Sequence, residues 1–280
     1  MPFRLALLAS LVAALAASVA SASAAPPAPP ARIVSLVPSL TEDLFALGLG
    51  SRVVGVSQYT DYPAEAAKLP VIASFASVDA ERVVRLRPDL VVGIDAQSAL
   101  VADLRRAGLR VELLRDDSFD DLFASLARLG ALCGRSHEAA ALAKRLRART
   151  AELVRTVPRG PRPRTFVVLG TSPIFTVGDG SYIARLISLA GGVNASGIRD
   201  PYARYSAEAL VARQPDVIVA DAYSGLPAVR DQPPWNALRA VRAGRLYVLT
   251  DAAILERPGP RYNLGLAWLI ARLHSRGTGT

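Results

Sequence analysis

One short pattern occurs twice in this chain and constrains its fold more than any other feature. Residues 80–92 read Ala-Glu-Arg-Val-Val-Arg-Leu-Arg-Pro-Asp-Leu-Val-Val, and residues 207–219 read Ala-Glu-Ala-Leu-Val-Ala-Arg-Gln-Pro-Asp-Val-Ile-Val. In both copies a glutamate (Glu81, Glu208) stands at the same distance before a proline (Pro88, Pro215), an aspartate follows, and an apolar run begins. Each copy reads as a short helix opening near the glutamate. Ser77 or Ser206 lies just upstream as an N-cap, and a carboxylate is favoured in the first turn. The proline then ends the helix and a buried strand follows. Two such units predict two similar α/β lobes, each presenting one acidic helix start at the same place.

The rest of the chain fits that plan. Ile33 to Val37 reads as a buried strand, Pro38-Ser39 as a loop, and Leu40 to Leu47 as a helix stopped by Gly48. Val53 to Val56 predicts the next strand, followed by the loop 57–63 and a short helix over Ala64 to Ala67. After the first repeat strand at Leu90 to Ile94 come a helix from Ser98 to Ala107, a strand from Arg110 to Leu114 and an amphipathic helix from Ser118 to Leu132. Strands alternating with helices at this spacing predict a mainly parallel sheet covered on both faces. His137 to Val157 contains neither Gly nor Pro and predicts one helix roughly 30 Å long, a strut between the lobes. The second half restarts with a strand (Thr165 to Leu169), a loop (Gly170 to Gly180) and a helix (Tyr182 to Leu189). The second repeat unit follows, then a short helix at Trp235 to Val241, a strand at Arg245 to Leu249 and a closing helix at Tyr262 to His274.

The expected fold class is therefore α/β, with two lobes of mainly parallel sheet joined by one long helix. The expected divisions are a leader over 1–24, an unpacked Pro/Ala-rich tail over 25–31, a first lobe over 32–134, the connecting helix over 135–158 and a second lobe over 159–280. The leader reading rests on Arg4, the apolar run Leu5 to Ala20 and the Ala22-Ser23-Ala24 cleavage pattern. It implies export, and Cys133, the one cysteine, excludes an internal disulfide.

Several function classes drop out on residue type. With only His137 and His274 in 280 residues, a metal site built on several imidazoles is not expected. No nucleophile-elbow motif accompanies them, so an enzyme is not expected either. The net charge of +9 is spread along the chain without a basic tract or a recognition motif, so nucleic acid is not expected as a partner. Gly178-Asp179-Gly180 lacks the phosphate-loop fingerprint and reads as a turn. What remains are the loops after strand C-termini, where open α/β sheets bind ligands. They carry Pro38, Ser39, Tyr59, Tyr62, Phe75 and Ile94 in the first half, and Phe175, Tyr202, Tyr205, Tyr223 and Arg257 in the second. Facing each other, these loops would form an aromatic cleft suited to a large, flat, partly apolar ligand.

An ordered set of segments carries a resemblance across nearly the whole chain from Arg32. It comprises Arg32 to Leu36 with Pro38 and Thr41-Glu42, Val54 to Ser57 with Tyr59, Asp61, Tyr62 and Pro63, both repeat units, Phe175-Thr176 before Gly178, Pro201-Tyr202, and Glu256-Arg257 with Pro260-Arg261. The chain resembles the periplasmic binding proteins of ABC importers for cobalamin, haem and iron siderophores, most closely the cobalamin-binding members. The resemblance implies a monomeric, non-enzymatic periplasmic receptor that holds its ligand between the lobes, with no cofactor of its own. Glu81 and Glu208 would dock on arginines of the permease dimer in the inner membrane. Tyr59 matches a tyrosine of the cobalamin proteins; Phe75, Ile94 and Tyr202 fall on their tryptophans, with Ile94 the clear departure; Phe175 and Arg257 match further contacts. Haem-binding relatives place a tyrosine ligand where this chain has Phe75, whose phenyl ring cannot bind iron. Siderophore binders use cations such as Arg204 and Arg257.

Overall fold

In the computed structural model, which describes residues 28–275, order in the first lobe begins with strand β1 (Ile33–Ser35). It is the central strand of a five-stranded sheet of order β3-β2-β1-β4-β5. The partners are β2 (Val53–Ser57), β3 (Val71–Ala73), β4 (Leu90–Ile94) and β5 (Val111–Leu114), all parallel. Parallel strands need covering on both faces, and the fully buried run of β4 meets that need. The covering helices are α1 (Pro38–Ala46), α2 (Ala80–Arg85), α3 (Ala102–Arg106) and α4 (Phe119–Cys133). A single helix, α5 (Ser136–Arg155), then leads to the second lobe.

The second lobe is built on a four-stranded parallel sheet of order β12-β11-β6-β9. It contains β6 (Arg164–Val168), β9 (Val193–Asn194), β11 (Val217–Asp221) and β12 (Leu246–Leu249). A three-stranded antiparallel sheet of β7 (Gly170–Thr171), β8 (Ile174–Val177) and β10 (Tyr202–Arg204) adjoins it. Helices α6 (Tyr182–Leu189), α7 (Ala207–Arg213), α8 (Leu226–Val229), α9 (Arg239–Arg242), α10 (Ala253–Glu256) and α11 (Tyr262–Leu273) complete it. The fold is thus α/β with mainly parallel sheets in two lobes. Among the described residues no helix is long and apolar enough to cross a membrane.

Each repeat unit performs the same structural task in its own lobe. Asp89 accepts the backbone N–H of Arg32 at 2.9 Å, and Asp216 accepts that of Arg164 at 2.9 Å. The two arginines return the favour: Arg32 donates to the Leu86 carbonyl at 2.8 Å and Arg164 to the Arg213 carbonyl at 2.8 Å, capping the C-terminal carbonyls of α2 and α7. The residues before the prolines, Arg87 and Gln214, both take positive φ (46° and 44°). The Pro-Asp pair therefore ends a helix and secures the first strand of the lobe. The predicted N-cap Ser206 does accept from the Ala209 N–H, whereas in the first copy Asp79, not Ser77, caps the helix by accepting from the Arg82 N–H. An Asp immediately before the first turn is closer to the orphan donors than Ser77.

Other boundaries differ for local reasons. Pro38 and Ser39 form the first turn of α1 and not a loop, because proline is tolerated where no intrahelical N–H is needed. The helix expected from Ser98 shortens to α3, preceded by a 3₁₀ turn at Asp95–Gln97. The buried Gln97 side chain causes this, since it accepts the Ile94 N–H and donates to the Leu36 carbonyl, both at 3.2 Å. The helices expected at 64–67 and 235–241 become a 3₁₀ turn at Ala66–Lys68 and a 3₁₀ turn at Trp235–Ala237 followed by α9. The hairpin inside 170–180 was not expected, nor were the short strands β3, β9 and β10. The expected leader and the start of the tail lie outside the described residues. At the end of that tail, Pro30 is buried, Arg52 donates to its carbonyl at 3.3 Å and Ala31 donates to Asp89 at 2.8 Å, so this part packs where it was expected to be unpacked.

The lobes share one continuous apolar core that runs from Ile33 through α4 and α5 to α11. Phe119 stacks on Tyr182 (6.3 Å) and meets Tyr262 edge-on (5.2 Å). Tyr262 also bonds Thr150 at 2.6 Å, and Asn263 donates to the Leu146 carbonyl at 3.0 Å, which bolts the strut to α11. Gly178 shows how tightly the antiparallel sheet is drawn in. The N–H groups of Gly178, Asp179 and Gly180 donate to the carbonyls of Pro201, Ile198 and Arg199, leaving none for a phosphate. A Cβ on Gly178 would overlap the Asp200 carbonyl and sit 2.8 Å from that of Ile198. Gly178→Ala is therefore expected to lower unfolding stability by about 2 kcal/mol or more in urea titrations.

Candidate ligand cleft

A buried carboxylate joins the two lobes. Glu42, on α1, has a side chain 1% exposed, and a buried charge persists only when paired and hydrogen-bonded. Its partners come from the far end of the chain. Arg261 grips it bidentately, Nε to Oε2 at 2.8 Å and Nη2 to Oε1 at 2.7 Å, and Arg257 Nη1 adds a bond at 3.2 Å. Arg261 continues to Asp251 at 3.1 Å and lies over the Tyr62 ring at 4.1 Å. Arg257 continues to Asp61 at 2.6 Å and to the Tyr59 carbonyl at 2.7 Å. The hydrogen bond that Arg261 donates to Glu42 outweighs burial and raises the Arg261 pKa above its already high ordinary value. At Asp61 burial works upward, but the hydrogen bond and charge of Arg257 hold the carboxyl below its ordinary value. A second junction lies at the loop after β5, where the Tyr182 N–H donates to the Asp117 carbonyl at 2.9 Å.

The strand-end loops beside these junctions present the aromatics. Tyr59 is 74% exposed and Phe75 71%, and Tyr223 is exposed as well. On the second lobe Phe175 and Tyr202 are partly open on paired strands of the antiparallel sheet. Arg204 is the register partner of Phe175 and shares a face with Tyr202 two residues away, exposed and without an ion pair among the described residues. Tyr59 adopts φ 65°, a region costing a side-chain-bearing residue roughly 1–2 kcal/mol.

Not every expected contact is placed to touch a ligand. Pro38 is half-buried in the first turn of α1; Ser39 and Ile94 are buried, Ile94 with 4% of its surface open because it packs in the shared core. Tyr205 packs edge-on against Phe166 and donates to the Ser196 carbonyl at 3.0 Å, so it belongs to the core of the second lobe. Tyr62 is taken up by Arg261. Both terminal nitrogens of Arg257 are spent on Glu42, Asp61 and Tyr59. Glu81 and Glu208 occupy the first turns of α2 and α7, exposed, and Glu81 makes only a long contact with Arg85 at 3.7 Å.

Sequence reasoning missed the carboxyls along the same strand ends. Asp95 and Asp116 follow β4 and β5, Asp221 ends β11, and Glu256 closes α10. Burial, then the charges of Asp117, Asp121 and Asp95, push Asp116 up to about 7. Burial, then the charge and hydrogen bond of Asp221, push Glu256 up to about 8. Asp221 is itself fixed by accepting the N–H groups of Tyr223 (2.8 Å) and Ser224. Burial and the charges of Asp116, Asp117 and Glu256 push the Tyr202 phenol up to about 12, so carboxyls of both lobes act on one ring. No three His, Cys, Asp or Glu side chains among the described residues converge closely enough to hold a metal ion. The sequence signal was present in the acids after β4 and β5 and at the end of β11, but adjacency across lobes was not readable.

Two outcomes follow from this electrostatic arrangement. Removing the shared acid in Glu42→Ala leaves two arginines half-buried without it, and unfolding stability is expected to fall by about 3–5 kcal/mol in urea titrations. Glu256 keeps in the folded chain a proton it would release on unfolding, between its ordinary value of 4.5 and about 8. The stabilisation is complete below the ordinary value and is lost as pH rises through the folded value. The urea midpoint is therefore expected to fall between pH 5.5 and 8.5, and less so in Glu256→Gln.

The model of the family described as periplasmic binding protein matches residues 33–253. The vitamin B12-binding protein of Vibrio cholerae is 31% identical over 238 residues, 82% of this chain and 84% of that protein. A crystal structure of the periplasmic vitamin B12 binding protein of Vibrio cholerae has a TM-score of 0.76 at 29% identity, covering 88% of this chain and 98% of the other. An uncharacterized ABC transporter substrate-binding lipoprotein of Bacillus subtilis is 29% identical over 252 residues, 87% of this chain and 80% of that one. The apo periplasmic heme-binding protein of Roseiflexus sp. RS-1 has a TM-score of 0.78 at 28% identity, covering 87% and 97%. With two lobes, one joining helix and a family match over most of its length, the chain belongs to the periplasmic binding protein family.

Proposed function

We propose that this chain is an exported, non-enzymatic receptor that captures cobalamin or a related corrinoid between its lobes and delivers it to an ABC permease in the inner membrane. The observation that carries the ligand class is the make-up of the cleft. Exposed aromatic faces (Tyr59, Phe75, Phe175, Tyr202) lie at strand ends, the carboxyls of Asp116 and Glu256 act on Tyr202, and Arg257 and Arg261 are spent on Glu42. A corrin is large and flat, and its rim carries neutral amide arms that donate hydrogen bonds to carboxyls. Haem presents two carboxylates, for which the cleft offers no guanidinium from Arg257 or Arg261, since both are held by Glu42. Relatives named for vitamin B12 binding support the same choice. A haem or iron-siderophore ligand is the second reading, favoured by the exposed Arg204 beside Phe175 and by the open Tyr59 hydroxyl.

The protein works as a monomer, needs no cofactor of its own, and sheds a leader on export. Glu81 and Glu208 serve delivery. They stand on the matched helices α2 and α7, one per lobe, exposed and free to meet arginines on a two-fold permease.

Titration of the purified protein with cyanocobalamin and with hemin, followed by absorbance, tests the ligand. Cyanocobalamin is expected to saturate at micromolar or lower concentration, and hemin to give no Soret band that depends on Tyr59 or Tyr202. Absence of cyanocobalamin binding at tens of micromolar would overturn the corrinoid assignment. For delivery, the Glu81→Ala, Glu208→Ala double variant is expected to keep the wild-type dissociation constant and to lose corrinoid uptake in cells that carry the transporter. Normal uptake would reduce both glutamates to helix-start charges.

A further inference from the structure

The exposed ring of Tyr59 is held in place from the wrong lobe. Its backbone sits at φ 65°, an unfavourable value for a residue with a side chain. Within the first lobe the Gln58 N–H donates to the Ala73 carbonyl at 2.7 Å, the Thr60 N–H reaches the Ser57 carbonyl at 3.3 Å, and the Ser57 and Thr60 hydroxyls stand 3.5 Å apart, which anchors the entry to the turn but neither the Tyr59 carbonyl nor Asp61. The charge-assisted contacts come from the second lobe. Arg257 Nη2 donates to the Tyr59 carbonyl at 2.7 Å, and Arg257 Nη1 donates to Asp61 at 2.6 Å, both charge-assisted. Arg261 covers the Tyr62 ring. Arg257 is in turn fixed by the buried Glu42 of the first lobe at 3.2 Å. The path thus runs from α1 to the end of α10 and back to the loop after β2.

We infer that Arg257 is a positioning residue: it acts on the ligand through Tyr59, whose ring it presents to the cleft, and not by touching the ligand. Both its terminal nitrogens are already engaged with Glu42, Asp61 and Tyr59, so a ligand contact through either would break a bond that holds the loop, and only Nε–H is without a partner among the described residues. Presentation of Tyr59 therefore depends on the two lobes keeping their spacing, which ties capture on one lobe to the position of the other. A loop pre-set in its binding conformation raises affinity by removing the ordering cost at the moment of binding. The choice of corrinoid as probe rests on the function proposed above; the positioning itself does not.

The test compares Arg257→Gln, Arg257→Lys, Asp61→Asn, Tyr59→Ala and the Arg257→Gln, Tyr59→Ala double variant. Asp61 is on the surface, so Asp61→Asn keeps the test open if Arg257→Gln fails to fold. Backbone amide hydrogen exchange over residues 58–62 reads loop order without any ligand. Arg257→Gln and Asp61→Asn are each expected to speed exchange there by about tenfold or more while β1 and β4 stay protected. Cyanocobalamin affinity is expected to fall by about tenfold in both, to recover in part in Arg257→Lys, and to show no further loss when Arg257→Gln is added to Tyr59→Ala. Unchanged exchange at 58–62, or a full additional loss in the double variant, would overturn the inference in favour of a direct contact. If the wild-type protein does not bind cyanocobalamin, the corrinoid reading falls, and the exchange result still decides whether Arg257 orders the loop.

Discussion

The buried charge of Glu42 is the constraint on which the arrangement of this protein depends. A carboxylate that stays charged out of water must be paired with cations, and those that Glu42 meets lie more than two hundred residues downstream, at Arg257 and Arg261. Satisfying it brings the end of α10 against α1 and sets the distance between lobes. It also removes two arginines from the ligand's reach. What remains at the strand ends is aromatic and acidic, and the chemistry of the cleft follows in part from a structural requirement met beside it.

The duplicated unit explains how two lobes of low mutual similarity share one plan. In each, an aspartate after the proline holds the N–H of the first strand's opening arginine, and that arginine caps the carbonyls of the preceding helix. The unit thus fixes helix, turn and central strands together. Its glutamate, placed outward by the same helix start, is free for another purpose. The lobes diverge where the second adds an antiparallel sheet beside its parallel one. That addition is not decoration, since Phe175 pairs with Arg204 and Tyr202 with Val177 across it, and both aromatics gain rigid positions that a plain loop would not provide.

Much of the fold was legible because it rests on local rules. The long run without Gly or Pro became α5, Ser118 capped α4, and the Pro-Asp pairs ended helices and opened strands. Failures came where tertiary contacts outweighed local preference. Gln97, reaching into the sheet, broke a helix expected to run on, and the hairpin in 170–180 is stabilised by backbone bonds to 198–205, a distant segment. For the cleft, residue types were readable and roles less so. Tyr59, Phe75, Phe175 and Tyr202 lie open at strand ends, yet Ile94 and Ser39 are buried, Tyr205 is core, and Arg257 is engaged within the protein.

The sequence by itself determined the class of the fold, the duplication and the set of aromatic residues at strand ends, because periodicity, capping and proline placement act over a few residues. The tertiary structure alone decided which of those residues stand open and which are buried or hold the lobes. The pairing of Glu42 with Arg257 and Arg261 is a contact between the two ends of the chain, and no local pattern records it. The repeat that first implied two lobes also supplied their outward glutamates, but their spacing is set by that buried charge.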